Sequence, residues 1–142
     1  MHLEQIQLNF DKRRGTNGLL AILRSGATDD AIDAAEDRIG QSFPDQVRAF
    51  YSKYNGLTVD HPRFEILPVN NLFVDDQSRI HFATADGIYQ ICFNCSHLND
   101  AEQWDIIESE NGDRITYTMA SFWTNKMWKW IDRRQMFWLG EV

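Results

Sequence analysis

Phe43-Pro44-Asp45-Gln46-Val47-Arg48-Ala49-Phe50-Tyr51-Ser52-Lys53-Tyr54-Asn55-Gly56 is punctuated as a helix at both ends. Pro44 pre-sets φ for a first helical position, Asp45 sets a carboxylate against the positive end of the helix dipole, and Asn55-Gly56 ends the run. Val47, Phe50, Tyr51 and Tyr54 fall at i, i+3, i+4 and i+7, a stripe that has to be buried against something. Just upstream, Thr28 is a capping residue ahead of Asp29 and Asp30. Ile32, Ala35 and Ile39 then share a face, and Gly40 fits a left-handed terminator. Two short amphipathic helices therefore follow one another. Leu3, Ile6 and Phe10 predict a further N-terminal helix that breaks near Gly15, and Leu19 to Leu23 an added turn.

From Phe64 the period changes to that of strands. Phe64-Glu65-Ile66-Leu67 is the first. Ile80, Phe82 and Thr84 alternate with His81 and Ala83, and Asp86-Gly87 turns the chain into Ile88 to Phe93, a hairpin. A second hairpin joins Trp104–Glu110 to Asp113–Thr118 through Asn111-Gly112, a pair that tolerates the positive φ of a two-residue turn. Ser121-Phe122-Trp123 opens a last helix, with Trp123, Met127 and Trp130 on one face. Helices, then antiparallel strands, then a helix predict an α+β fold. The expected sheet has about four to six strands, with N-terminal helices and a C-terminal helix packed on it. No repeat or linker divides residues 1–142, so one domain is expected.

The chain has 142 residues, of which 43% are hydrophobic and 25% charged, too apolar for a disordered chain. No run approaches the roughly 18–20 apolar residues of a membrane span. Residues 1–6 are polar and carry Glu4 where a secretory signal would be basic and then apolar, which predicts a cytoplasmic location. Fourteen Lys and Arg against 21 Asp and Glu give a formal net charge of -7, which disfavours nucleic acid as a ligand. That charge is held in one segment. Between Ile80 and Asp113 lie Asp86, Asp100, Glu102, Asp105, Glu108, Glu110 and Asp113, with no Lys or Arg. The plainer reading is a solvated surface that keeps the protein soluble. The sharper one is a field that steers a basic partner.

Motifs that announce a nucleotide site, an acyl nucleophile or a zinc hydrolase are absent, and neither catalytic residues nor a cofactor are expected. Cys92 and Cys95, with His97 two residues on, are half of a zinc site at best. If the strand runs through Asn94, the two sulfurs project to opposite faces and cannot share an ion, so no metal is expected. Four of the five tryptophans lie between Trp123 and Trp138. Trp123 and Trp130 read as core at helical spacing; Trp128 falls off that stripe and Trp138 lies beyond the helix. Those two, with Phe137, could form an exposed aromatic patch that serves a partner or a weak homodimer; otherwise the chain is a monomer.

Gly26-Ala27-Thr28, then Ile32, Ala35, Glu36, Ile39 and Gly40, then Phe43-Pro44 through Asn55-Gly56, resemble the N-terminal signature of the SUKH superfamily. Phe64-Glu65-Ile66-Leu67-Pro68-Val69-Asn70-Asn71-Leu72 is similar to its strand-and-proline element, and Ala120-Ser121-Phe122 to the opening of its aromatic final helix. The resemblance spans about Gly26 to Ile131. It implies a non-enzymatic immunity protein that binds and neutralises a cognate toxin, commonly a nuclease. Fungal relatives imply an alternative, a regulatory or scaffolding module linked to cell-wall synthesis. A nuclease presents Lys and Arg to its phosphodiester substrate, so an acidic surface would complement it. On that reading the partner-binding residues are Asp86, Asp100, Glu102, Trp104, Asp105, Glu108, Glu110 and Asp113.

Overall fold

The computed structural model describes residues 21–139. Its elements are β1 (Ala21–Ser25), α1 (Asp29–Ile39), α2 (Asp45–Lys53), β2 (Tyr54–Asp60), β3 (Arg63–Ile66), β4 (Phe73–Val74), β5 (Arg79–Ala85), β6 (Tyr89–Asn94), β7 (Asp105–Glu108) and β8 (Arg114–Thr116). A broken C-terminal helix follows: α3 (Met119–Ser121), a π turn (Phe122–Lys126) and α4 (Met127–Arg133). All strand pairs are antiparallel, in the order β1-β2-β3-β5-β6-β7-β8, with β4 pairing β5 beyond the end of β3. The fold is α+β, as expected, with more strands than the four to six predicted.

The extra strands come from segments whose local signals point elsewhere. Residues 21–23, the described part of the turn predicted over Leu19 to Leu23, belong instead to the edge strand β1, which pairs with β2. The predicted helix over Leu3 to Phe10 lies outside the described residues. Asn55-Gly56 does not terminate α2 in a turn: Tyr54 is already extended, and the chain passes straight into β2. There Asn55 Oδ1 accepts from the Val69 amide at 2.7 Å. Gly56 (φ +97°) presses so close to β3 that a Cβ would sit 2.5 Å from the Ile66 carbonyl oxygen. Pro44 is the residue before α2 rather than its first.

Elsewhere the local signals hold. Thr28 Oγ1 accepts from the Ala31 amide at 3.1 Å, and Gly40 closes α1 in the left-handed region. Arg48 of α2 reaches Asp33 and Glu36 of α1, each at 2.8 Å, fixing the helix pair. One core lies between the helices and one face of the sheet, built from Ile32, Val47, Phe50 and Tyr51 against Leu57, Phe64, Phe82, Ile91, Phe93 and Ile106. The opposite face carries the intervening residues, among them Thr58, Glu65, Thr84 and Gln90 in one cross-strand row.

Trp128 and Trp138 are core, not exposed anchors, and Phe137 is half-buried, so there is no aromatic patch at this end. The π turn explains Trp128: it inserts one residue, so a side chain five positions on returns to the face it would otherwise leave. Trp128 Nε1 donates to the Trp123 carbonyl at 3.1 Å. Trp138 packs on Tyr89 and Trp130, with ring centroids 4.9 and 5.0 Å away.

Candidate partner-binding surface

The register decides where the acids go. Arg79 pairs with Asn94 and Asn94 with Asp105, so the turn before β5 and the long β6–β7 loop emerge at one end of the sheet. Ala85 pairs with Tyr89 and Ile91 with Glu108, so the β5–β6 turn and the β7–β8 loop emerge at the other. The eight predicted residues are thereby divided. Asp100, Glu102 and Asp105 stand at the first end, Asp86, Glu110 and Asp113 at the second. The four residues of β7 lie between, a span of about 10 Å at strand rise.

Two of the eight are not on a surface. Trp104 is buried against Phe43 and Phe93, with ring centroids 5.9 and 5.7 Å away. Glu108 is 3% exposed, and its carboxylate accepts from the amides of Glu110 and Asn111 at 2.8 and 2.9 Å. That bond set also corrects the hairpin. The turn is not Asn111-Gly112 alone but a five-residue loop folded around the Glu108 side chain, because a carboxylate can satisfy two loop amides that a tight turn leaves no room for.

The first end is the more coherent. The turn 75–78 and the segment 95–105 carry Asp75, Asp76, Asp100, Glu102 and Asp105, with no Lys or Arg. Asp76, Asp100 and Glu102 are exposed, and beside them Leu98 is 55% exposed, an apolar side chain among carboxylates. Asn99 fixes the loop. Its Oδ1 accepts from the amides of Ala101 and Gln103 at 2.9 and 3.2 Å, and its Nδ2 donates to Asp105 Oδ1 and the Tyr117 carbonyl at 2.9 and 2.8 Å. Glu102 holds a left-handed conformation (φ +58°) inside this loop. The acids are presented on a preformed scaffold, which lowers the entropy that binding has to overcome.

Asp76 and Leu98 escaped the sequence reading. Asp75-Asp76 fall before Ile80, on the far side of Arg79, and a count along the chain cut them off; only the register shows that their turn and the 95–105 loop share an end. Asp75 differs from its neighbours because it is compensated. Its Oδ2 lies 3.1 Å from Arg79 Nε and 3.0 Å from His81 Nε2.

The strand does run through Asn94. Cys92 lies on the sheet face away from the helices, while Cys95 belongs to the core and donates its thiol proton to the Ser78 carbonyl at 3.1 Å. Burial pushes both thiols up, Cys92 to about 12, which suits inert thiols rather than nucleophiles. Among the described residues no group of three or more His, Cys, Asp or Glu is placed to hold a metal ion, and no helix is long and apolar enough to cross a membrane.

Over residues 26–124 the sequence matches the SMI1 / KNR4 family (SUKH-1). The chain belongs to this family. The matched SUKH-1 region takes in both helices, the sheet from β2 onward and both acid-bearing ends, and it makes the chain an immunity-type or regulator-type domain. No curated protein matches it.

Proposed function

We propose that this SUKH-1 chain acts as one non-enzymatic, cytoplasmic domain that binds and neutralises a basic toxin, a nuclease by preference, through the acidic end of its sheet. The observation that carries the reading is the pairing of Asp76, Asp100 and Glu102 with exposed Leu98 on a loop fixed by Asn99. Clustered charge of one sign accelerates encounter with an oppositely charged surface, and an apolar side chain inside the cluster gives the docked complex something to bury. A nuclease is the natural counterpart because the groove that grips phosphates is itself basic.

The test starts from affinity capture of the tagged chain from lysate of its own source, eluted by a salt gradient, with the eluted protein identified by mass spectrometry. A single basic protein released by moderate salt is expected; several partners indifferent to salt would favour the regulatory module. With that protein in hand, reversing Asp76, Asp100 and Glu102 to Lys should slow association by about tenfold or more and flatten its salt dependence. Reversing Asp86, Glu110 and Asp113 at the opposite end should change it less than about twofold. Equal effects from the two ends would sink the assignment.

A further inference from the structure

The sheet stops at β8, and among the described residues no strand lies on its far side. Along that edge, residues 114–117 form one wall of an open cleft of about 1020 Å³, whose other wall is the C-terminal helix and the turn that follows it. Among the described residues that line it, the charged ones are Arg114, Lys126 and Lys129. Tyr117 is half exposed, with the Arg114 guanidinium carbon 4.0 Å from its ring centroid, and Met136 is exposed beside the half-buried Phe137.

Two independent features meet here. A terminal strand offers backbone N–H and C=O groups at strand spacing, the template that an added strand uses. The charged side chains that line the cleft beside it, among the described residues, are cations in a chain of formal net charge -7, which sets its preference apart from that of the acidic end. We propose that this cleft takes an extended acidic peptide segment of a partner protein, paired along β8 as an additional strand. β8, residues 114–116, gives a pairing length of about 10 Å, since the Tyr117 carbonyl is already taken by Asn99 Nδ2. Because side chains alternate along a strand, an acid at every second position lays one row of carboxylates toward one side of the cleft. The backbone supplies attraction and the cations supply selection. The strand edge meets the acidic end at Tyr117, whose carbonyl accepts from Asn99 Nδ2 at 2.8 Å, so the acids of the peptide belong beside Arg114 and Lys129, away from residues 99–105.

The experiment is fluorescence anisotropy of the full chain with a labelled peptide of about ten residues alternating Glu and Thr. Three probes accompany it: the same peptide with Lys for Glu, the Glu peptide N-methylated at alternate amides, and a single-stranded oligothymidylate of equal charge. The Glu peptide should bind. The Lys and N-methylated peptides should bind about tenfold more weakly or worse, and Arg114→Glu and Lys129→Glu should each weaken the Glu peptide while leaving circular dichroism unchanged. No binding of the Glu peptide would overturn the proposal and leave the cations as guards against edge-to-edge aggregation. Binding indifferent to N-methylation would overturn strand pairing, and tighter binding of the oligothymidylate would make nucleic acid the ligand. N-methylation leaves the protein untouched, so the test stands even if both variants misfold.

Discussion

Asp75 sits at the acidic end yet is spent inside it. Burial pushes its carboxyl up, but the hydrogen bond from His81, the amides of Gln77 and Arg79, and the Arg79 guanidinium together outweigh that and hold it at about 2, against an ordinary 3.8. The folded state therefore binds the Asp75 proton less readily than the unfolded chain does. The stabilisation is complete above about pH 4 and is lost as pH falls toward 2. Asp75→Asn removes the titration, so the wild type should be the more stable of the two at pH 7, and the difference in denaturant-derived stability should shrink between pH 4 and pH 2. A difference that stays constant over that range would show that the Asp75 charge contributes nothing to the fold. Glu102 is the counterpart, an acid whose left-handed backbone serves a turn that Gly would make at lower cost, on a loop whose exposed charges are the ones left free for a partner.

Among the elements, the approach of the chain to α1 shows how two glycines differ. At Gly26 a Cβ would lie 2.0 Å from the Ser52 carbonyl oxygen, because the Ala27 amide donates to the Tyr51 carbonyl at 2.8 Å and draws the strand end onto α2. Backbone cannot step aside, so Gly26→Ala should cost about 3 kcal/mol or more. At Gly40 a Cβ would meet nothing within 4 Å, and only the left-handed conformation (φ +81°) is at stake, so Gly40→Ala should cost about 1–2 kcal/mol. Urea midpoints of the two variants check the order; a milder loss at Gly26 would mean that the strand end is not packed against α2 as described. Legibility followed the same line between local and non-local causes. Thr28, Gly40 and the Asp86-Gly87 turn act on their own neighbours and were readable. The strand character of residues 21–25 comes from pairing with residues 54–59, about 30 or more positions away, and the π turn that buries Trp128 has no local signature.

Across the whole molecule, sequence proximity and spatial proximity part company for the charges. Asp100, Glu102 and Glu110 are near in the chain but divided by β7, whereas Asp76 joins Asp100 and Glu102 only through the register of β5, β6 and β7. The acidic character of the site was legible from the count; its membership was not, because register is a property of the assembled sheet. The same placement has an energetic consequence. Like charges gathered at one end of a chain of net charge -7 repel one another in the compact state more than in the expanded one. Substituting Asp76→Asn, Asp100→Asn and Glu102→Gln removes three carboxylates without adding bulk, taking the formal net charge from -7 to -4. The triple variant should melt about 1–3 °C higher in low salt, from a gain of about 0.5 kcal/mol, while binding its basic partner more slowly. The gain should vanish near 1 M salt, where the Debye length falls to about 3 Å. A melting temperature that does not rise, or a rise that persists in high salt, would mean that the acids are compensated within the fold and are not held ready for a partner.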